Sequence, residues 1–311
     1  MKKLNKKIIF LPFYLQCPQH RFSASARFRA EWPAKYLKAD LADEMTSIGE
    51  LINYDLVIFQ KCFNVRFLAT IQYIKNNNKE TKIAFDLCDA EWLTREQEIK
   101  DMIEAVDFIT VPTEELKKWV NDNFPEKNCY VIPDGHDLDY YFSDPSEAEI
   151  DENTEMRYVW YGNSGTIKSL EAIMPILEEW RGSKDTLTII ADERAREAIF
   201  SDKIEIKFVP WKLETINQEV KKCNLVLNPK LSNSEEYRYK SNNKTAMAYI
   251  LGLPCIDRQT SDEEGWENDL IEMRVGKKRR ENVEAKKPYY LSDYKMEKVV
   301  KIWEKALYKE L

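Results

Sequence analysis

Two Rossmann-like α/β domains, each built on a doubly wound and mostly parallel sheet, are predicted by three features of this sequence. Apolar runs of strand length alternate with segments of helical apolar periodicity along most of the chain. The alternation runs twice, and between the two passes Ser143 to Thr154 holds Asp144, Pro145, Ser146 and a run of acids with almost no apolar residue. A chain of 311 residues is long for one domain and comfortable for two of about 150 each. The predicted division is residues 1–148, residues 149–291 and a C-terminal helical segment, 292–311.

In the first pass, Ile8 to Phe13 is a strand feeding a polar loop, Gln16 to Ser25, and then a helix around Ala26 to Leu37 with Arg27 and Arg29 near its start. A second strand, Asp55 to Phe59, ends in Gln60 and Lys61, and a helix spans Phe67 to Lys75. Strand Lys82 to Asp86 delivers Asp86, Cys88, Asp89 and Trp92 at its carboxyl end. Helix Glu96 to Ala105, strand Phe108 to Val111, helix Thr113 to Asn121 and strand Cys129 to Ile132 follow, Thr113 with Glu114 and Glu115 making a good helix start.

The second pass begins with strand Tyr158 to Tyr161 and helix Ser169 to Trp180. Strand Thr186 to Ala191, helix Glu193 to Phe200 and strand Ile204 to Val209 come next, closed by Pro210 and Trp211. Helix Leu213 to Cys223, strand Leu225 to Leu227, a polar loop Asn228 to Tyr239, helix Asn243 to Leu251 and strand Pro254 to Ile256 complete the alternation. Asp262 to Trp266 reads as a polar turn, Lys277 to Lys287 as a solvated charged stretch, and about Asp293 to Tyr308 as an amphipathic helix. Two such halves on a short linker are expected to face each other across a cleft, a geometry suited to two substrates.

Composition narrows the chemistry. A net charge of -7 argues against a surface built mainly to grip nucleic acid or an acidic membrane. The six cysteines include no C-x-x-C pair and no partnered histidines at metal spacing, so they read as buried thiols of a reducing compartment, and a cytoplasmic location is expected. With only His20 and His136, a His-rich metal centre has little to draw on. The basic start followed by Ile8 to Leu15 is too short, and too interrupted by Pro12, for a secretory signal. No run approaches the roughly 18 apolar residues of a membrane span.

Ligands of doubly wound sheets sit beyond the carboxyl ends of the strands. That rule promotes Gln60, Lys61, Asp86, Asp89 and the turn Pro133-Asp134-Gly135-His136-Asp137. Gly162-Asn163-Ser164-Gly165 stands out separately, because there an apolar run breaks at two glycines before a helix and backbone can approach a phosphate. The following Thr166-Ile167-Lys168-Ser169 mimics a phosphate-binding G-x-x-x-x-G-K-[ST] loop, but Ile167 stands where the second glycine belongs, and a β-branched residue resists positive φ. Glu235 to Thr245 gathers Arg238, Lys240, Asn242, Asn243 and Lys244 just before a helix, a local phosphate site with Lys244 in the first turn.

Val131-Ile132-Pro133-Asp134-Gly135-His136-Asp137, Trp160-Tyr161-Gly162-Asn163-Ser164-Gly165, and Lys240-Ser241-Asn242-Asn243-Lys244 followed by Leu251-Gly252-Leu253-Pro254-Cys255-Ile256 resemble the landmarks of GT-B fold glycosyltransferases. The resemblance is to the mostly retaining, nucleotide-sugar-dependent group that includes sucrose and glycogen synthases, and it spans roughly Phe108 to Ile256. It implies an acceptor-side first domain, a donor-binding second domain and a final helix that returns to the first. It implies donor contacts from Gly162, Asn163, Ser164 and Gly165 to the diphosphate, from Lys244 with Arg238 or Lys240 as its counter-charge, and from Pro210 and Trp211 to the base. Asp86 or Asp89 would orient or deprotonate the acceptor, with Arg27, Arg29, Gln60, Lys61 and His136 around it. The family's paired glutamates fall on Tyr239 and Met247 here, a departure for which Asn242 and Asn243 are the available substitutes. No permanently bound cofactor and no metal are expected, the nucleotide sugar being a co-substrate. A glycan or surface polysaccharide is the default acceptor. The alternatives are a phage-type modified DNA base, with Arg27, Arg29 and Lys61 as its footprint, and a catalytically silent nucleotide-binding or assembly protein.

Overall fold

The computed structural model describes residues 6–21, 23–142, 148 and 155–311, so the expected linker, Ser143 to Thr154, lies outside the described residues apart from Ala148. The chain forms two compact units. The first comprises residues 1–137, Arg238–Ser241 and Asp293–Leu311; the second comprises Leu138–Tyr237 and Asn242–Ser292.

In the first unit six strands, β1 (Ile8–Leu11), β2 (Asp40–Leu41), β3 (Leu56–Gln60), β4 (Lys82–Asp86), β5 (Phe108–Val111) and β6 (Asn128–Val131), lie in the order β2-β1-β3-β4-β5-β6. Every pairing is parallel. β1 and β3 are buried at every residue, as a parallel sheet covered by helices on both faces requires. Helices Val65–Asn77, Trp92–Ala105 and Glu114–Asn123 contribute Phe67, Ile71, Ile74, Ile99, Met102, Ile103, Leu116 and Val120 to its core. The helix expected around Ala26 to Leu37 starts at Ala24, widens into a π-helical segment over Arg27–Glu31, and ends at Leu37 with Lys38 in the left-handed region at φ 58°. The wider turn admits Arg27, Phe28, Arg29 and Ala30 to the interior together.

The C-terminal helix, Met296–Glu310, belongs to this unit and packs on Trp32–Leu37. His136 donates its backbone N–H to Tyr294 O at 2.6 Å and accepts from Met296 N at 2.8 Å. A Cβ on Gly135 would come within 2.6 Å of Met296 Cε and 3.0 Å of Val299 Cβ. The Pro133–Asp137 turn is therefore a docking point for the final helix.

The second unit holds β7 (Arg157–Tyr161), β8 (Thr186–Ala191), β9 (Glu205–Pro210), β10 (Leu225–Lys230) and β11 (Cys255–Gln259) in the order β11-β10-β7-β8-β9, again all parallel. Several sequence expectations need correcting here. The helix expected over Ser169 to Trp180 is two, Lys168–Glu171 and Met174–Glu179, because Pro175 opens the second and cannot continue the first. Only a 3-10 turn, Glu193–Ala195, forms where a helix to Phe200 was expected; Ala195 and Ile199 reach the core without a continuous helix, and Phe200 is exposed. Asp262 is not a simple turn residue: its carboxylate caps helix Glu263–Met273, and Trp266 in that helix is fully buried. The charged stretch Lys277 to Lys287 lies inside one long helix, Gly276–Asp293, anchored by Val283 and by a buried Arg279 that donates to Met273 O. Its charges had masked a narrow buried stripe. All six cysteines are free, and among the described residues no helix is long and apolar enough to cross a membrane.

His136 supplies a pH-dependent test of the first unit. Burial, and then the Arg27 charge, push its imidazole down from 6.5 to about 3. The unfolded chain takes up this proton below about 6.5 and the folded chain does not, so the group's stabilisation is complete above that pH and is lost as pH falls toward 3. Between pH ~6.5 and ~4.5 the wild type should lose about 2 to 3 kcal/mol more than His136→Asn, measured by urea unfolding at each pH. Equal losses would contradict a buried neutral imidazole.

Candidate active site

In each sheet the strand order reverses at one place, and the carboxyl ends flanking that reversal form the ready-made crevice of a doubly wound fold. In the first unit the reversal lies between β1 and β3. Gln60, at the end of β3 and fully buried, accepts from Phe13 N at 2.9 Å and donates to Cys88 Sγ at 3.6 Å. It fixes the loop that follows β1. Lys61 turns left-handed at φ 56°, a conformation that costs about 1 kcal/mol in a residue with a Cβ and that persists only where surroundings hold it. Its N–H bonds Asp86 O at 3.0 Å, and its ammonium lies 2.7 Å from Asp89 and 2.5 Å from Glu91.

Asp86 and Asp89, three residues apart, have different surroundings. Asp86 is fully buried; Arg29 reaches its Oδ1 at 2.5 Å and its Oδ2 at 3.1 Å, and Thr110 donates to Oδ1 at 2.6 Å. Arg29 also donates to Ile132 O and lies 3.5 Å from Asp134, with its guanidinium 5.5 Å from the Trp303 ring centroid. Asp89 keeps 22% of its side chain exposed and is gripped by Lys61 and by Lys240 at 3.1 Å. Burial alone would raise its pKa, but the two ammonium groups prevail and hold the carboxyl at about 2. Arg27 is buried over Phe28 and Trp32, with centroid distances of 5.8 and 5.9 Å. His136 is buried against Phe28 at 4.7 Å.

The segment expected to serve the donor is divided between the units. Arg238–Ser241 groups with the first unit: Tyr239 is buried in its core edge-on to Trp92 at 4.9 Å, Lys240 holds Asp89, and Ser241 donates to Asp134 at 2.6 Å. Arg238 is exposed, 5.8 Å over the Tyr239 ring. From Asn242 onward the chain belongs to the second unit.

In that unit the reversal lies between β7 and β10, flanked by the Gly162 turn and by helix Asn243–Ile250. A Cβ on Gly162 would meet Trp160 Cη2 at 2.7 Å and Thr166 Oγ1 at 2.9 Å, so only glycine fits. Asn163 and Thr166 form a reciprocal capping box, and Ser164 N–H donates to Asp192 at 2.7 Å. Ile167 takes an ordinary helical φ of -60°, which is incompatible with a kinase-type phosphate loop at this point. The Lys244 ammonium sits 5.0 Å above the Trp160 ring, and Tyr161 OH donates to Lys244 O at 2.7 Å. Trp160 and Tyr161 therefore hold Lys244 from below. Asn242 O accepts the first helical bond, from Ala246 N at 2.9 Å. Pro210 ends β9 and Trp211 follows it, with Trp211 N–H bonded to Ala191 O at 2.9 Å. Met247 is buried.

Sequence reasoning passed over Glu91 and Asp192. Asp192 follows β8 directly, so the strand-end rule that promoted Asp86 applied equally to it. Glu91 is placed only by the turn after β4, which no sequence pattern announces. Among the described residues no three His, Cys, Asp or Glu side chains gather at metal-binding distance.

Two parallel Rossmann-like sheets in one chain, with the final helix returned to the first, make up the GT-B fold. No family model matches the sequence, and no curated protein matches it. Among solved structures, Anabaena Alr3699/HepE in complex with UDP and glucose is 11% identical over 98% of this chain and 100% of that one, with a TM-score of 0.64. An α-glucosyltransferase in complex with UDP and a DNA 13-mer containing a HMU base is 10% identical over 93% of this chain and 95% of that one, TM-score 0.65. A glycosyltransferase from Rickettsia africae is 12% identical over 98% of both chains, TM-score 0.63. The shared fold extends over nearly the whole chain.

Arg29 and Asp86 should behave as one buried unit. Asp86→Ala alone should cost about 3 to 5 kcal/mol by leaving the guanidinium unpaired, whereas adding Arg29→Met should recover much of that loss. Strictly additive losses in urea unfolding would contradict the pairing.

Proposed function

We propose that this chain is a glycosyltransferase moving a sugar from a nucleotide-sugar donor to a hydroxyl of a glycan acceptor, with retention of configuration. The observation that carries the reading is the meeting of a glycine-only turn and a supported lysine, Gly162 and Lys244, at the strand reversal of the second sheet. Ser164 N–H is already taken by the Asp192 carboxylate, so the counter-charge for a diphosphate in this reading is the Lys244 ammonium. A donor diphosphate bound there meets the Lys244 ammonium and the N-terminal end of helix Asn243–Ile250. As the sugar leaves, charge develops on the diphosphate oxygen, and Lys244 stabilises it without needing a metal. In this reading Trp211, half-buried after β9, serves the base, and Asn242 and Asn243, which can both donate and accept, serve the ribose and sugar hydroxyls. The UDP held by two of the structural neighbours supports a uridine diphosphate donor.

On the acceptor side Asp89 is the working carboxylate in this reading. Asp86 is fully buried on Arg29 and Thr110 and anchors the site, whereas Asp89, though held by Lys61 and Lys240, keeps 22% of its side chain exposed. A carboxyl held at about 2 is a weak base, and Asp89 therefore orients the acceptor hydroxyl by accepting its hydrogen bond. That role suits a retaining transfer in which the leaving diphosphate takes the proton.

The DNA-base alternative draws on the neighbour that holds DNA. The cations that would grip a phosphate backbone are occupied: Arg29 is buried on Asp86, Lys61 lies between Asp89 and Glu91, and Arg27 is 8% exposed. Binding to phosphate chains requires cations available to displace counterions, so this balance favours a glycan.

Lys244→Ala should weaken UDP-sugar binding about ten- to a hundredfold in isothermal titration, the loss of one charge-assisted contact. Unchanged affinity would remove Lys244 from the phosphate site. Asp89→Asn should lower the transfer rate while leaving UDP affinity within about twofold, because the two groups belong to different substrates; an equal loss of UDP affinity would contradict that assignment.

A further inference from the structure

The second unit has a cavity of about 560 Å3 along the free edge of β11, lined by that strand and by helices Asn243–Ile250, Glu263–Met273 and Gly276–Asp293. None of Gly162, Ser164, Trp211 and Lys244 lines it. The volume falls within the range of small-molecule sites.

The charges of its lining cancel. Asp257 receives Lys230 at 2.6 Å on one oxygen and Thr245 at 2.5 Å on the other. Arg258 holds Asp269 at 2.5 Å, and Glu272 lies 3.7 Å from Lys278. An anion entering would meet three carboxylates, and a cation would meet Lys230, Arg258 and Lys286. A hydroxyl is the group that gains from such a wall, since it donates to a carboxylate oxygen while accepting from a neighbouring N–H.

Two donors remain for it. Asn282 accepts from Tyr249 OH at 2.9 Å through its carbonyl oxygen, which leaves its amide nitrogen with no bond among the described residues. Lys286, one turn further along the same helix, has no ion pair among the described residues and lies 5.3 Å over the Tyr249 ring. Tyr249, fully buried, stacks on Tyr290 at 5.1 Å with the planes 6° apart, and the half-buried Tyr290 ring is the aromatic carbon of the cavity wall. Flat aromatic carbon beside alternating donors and acceptors matches the two surfaces of a pyranose, its C–H face and its hydroxyl rim.

We propose that this cavity is a binding site for a neutral saccharide, separate from the nucleotide-sugar residues. On the reading of the chain as a glycosyltransferase it would retain a segment of the glycan; the site itself stands without that reading.

The test is titration of the full chain with maltose, cellobiose and lactose as neutral probes, glucose 1-phosphate as an anionic probe and UDP in parallel. At least one neutral disaccharide should bind, and more tightly than glucose 1-phosphate. Asn282→Ala should weaken that binding about tenfold, with Lys286→Gln as a second variant, while UDP affinity stays unchanged. The proposal is overturned if no neutral probe binds, if both variants bind it as the wild type does, or if the anionic probe binds more tightly. A missing UDP signal beside a positive disaccharide signal would instead count against the donor reading alone.

Discussion

The first unit depends on one buried charge. Arg29 enters the interior from a π-helical segment and would be prohibitively costly there without Asp86, Thr110 behind Asp86, and the carbonyl of Ile132. The pairing ties the helix after β1 to the ends of β4 and β6, and the Trp303 ring beneath the guanidinium brings in the C-terminal helix. It also sets the chemistry. Because Asp86 is committed to Arg29, the neighbouring Asp89 is the carboxylate that keeps an exposed face, and Lys61 and Lys240 keep it ionised.

A comparable economy governs the second unit. The closeness of Trp160 to Gly162 excludes every side chain but hydrogen from the turn, and the same indole supports the Lys244 ammonium on its face. One aromatic residue therefore shapes the backbone seat and positions the cation beside it. Tyr161, the next residue of β7, holds the carbonyl of Lys244.

Much of the fold was legible because parallel strands buried on both faces are continuous apolar runs, and Asp55 to Phe59 or Tyr158 to Tyr161 can scarcely be read otherwise. The strand-end rule also pointed to Gln60, Lys61 and Asp89, while a glycine turn and a basic cluster at helix starts pointed to Gly162 and Lys244. What escaped has physical causes. The helix over Gly276–Asp293 hides because its buried side includes a charged residue, Arg279, whose burial depends on a partner carbonyl at Met273. Arg238–Ser241 reads as the start of the donor segment, but the edge-on packing of Tyr239 on Trp92 and the Lys240–Asp89 pair are contacts across more than a hundred residues that local pattern does not encode. His136 looked available as a polar strand-end residue and is instead sealed under the final helix.

The most direct measurement of the central claim is the thermal and chemical stability of the intact chain against a panel of nucleotide sugars, with donor hydrolysis followed in the same samples. A ligand at about 100 times its dissociation constant adds about 2.7 kcal/mol to the unfolding free energy. The account predicts that a uridine diphosphate sugar gives a stabilisation of that order and is slowly hydrolysed. A panel in which no nucleotide or nucleotide sugar stabilises the chain would contradict it.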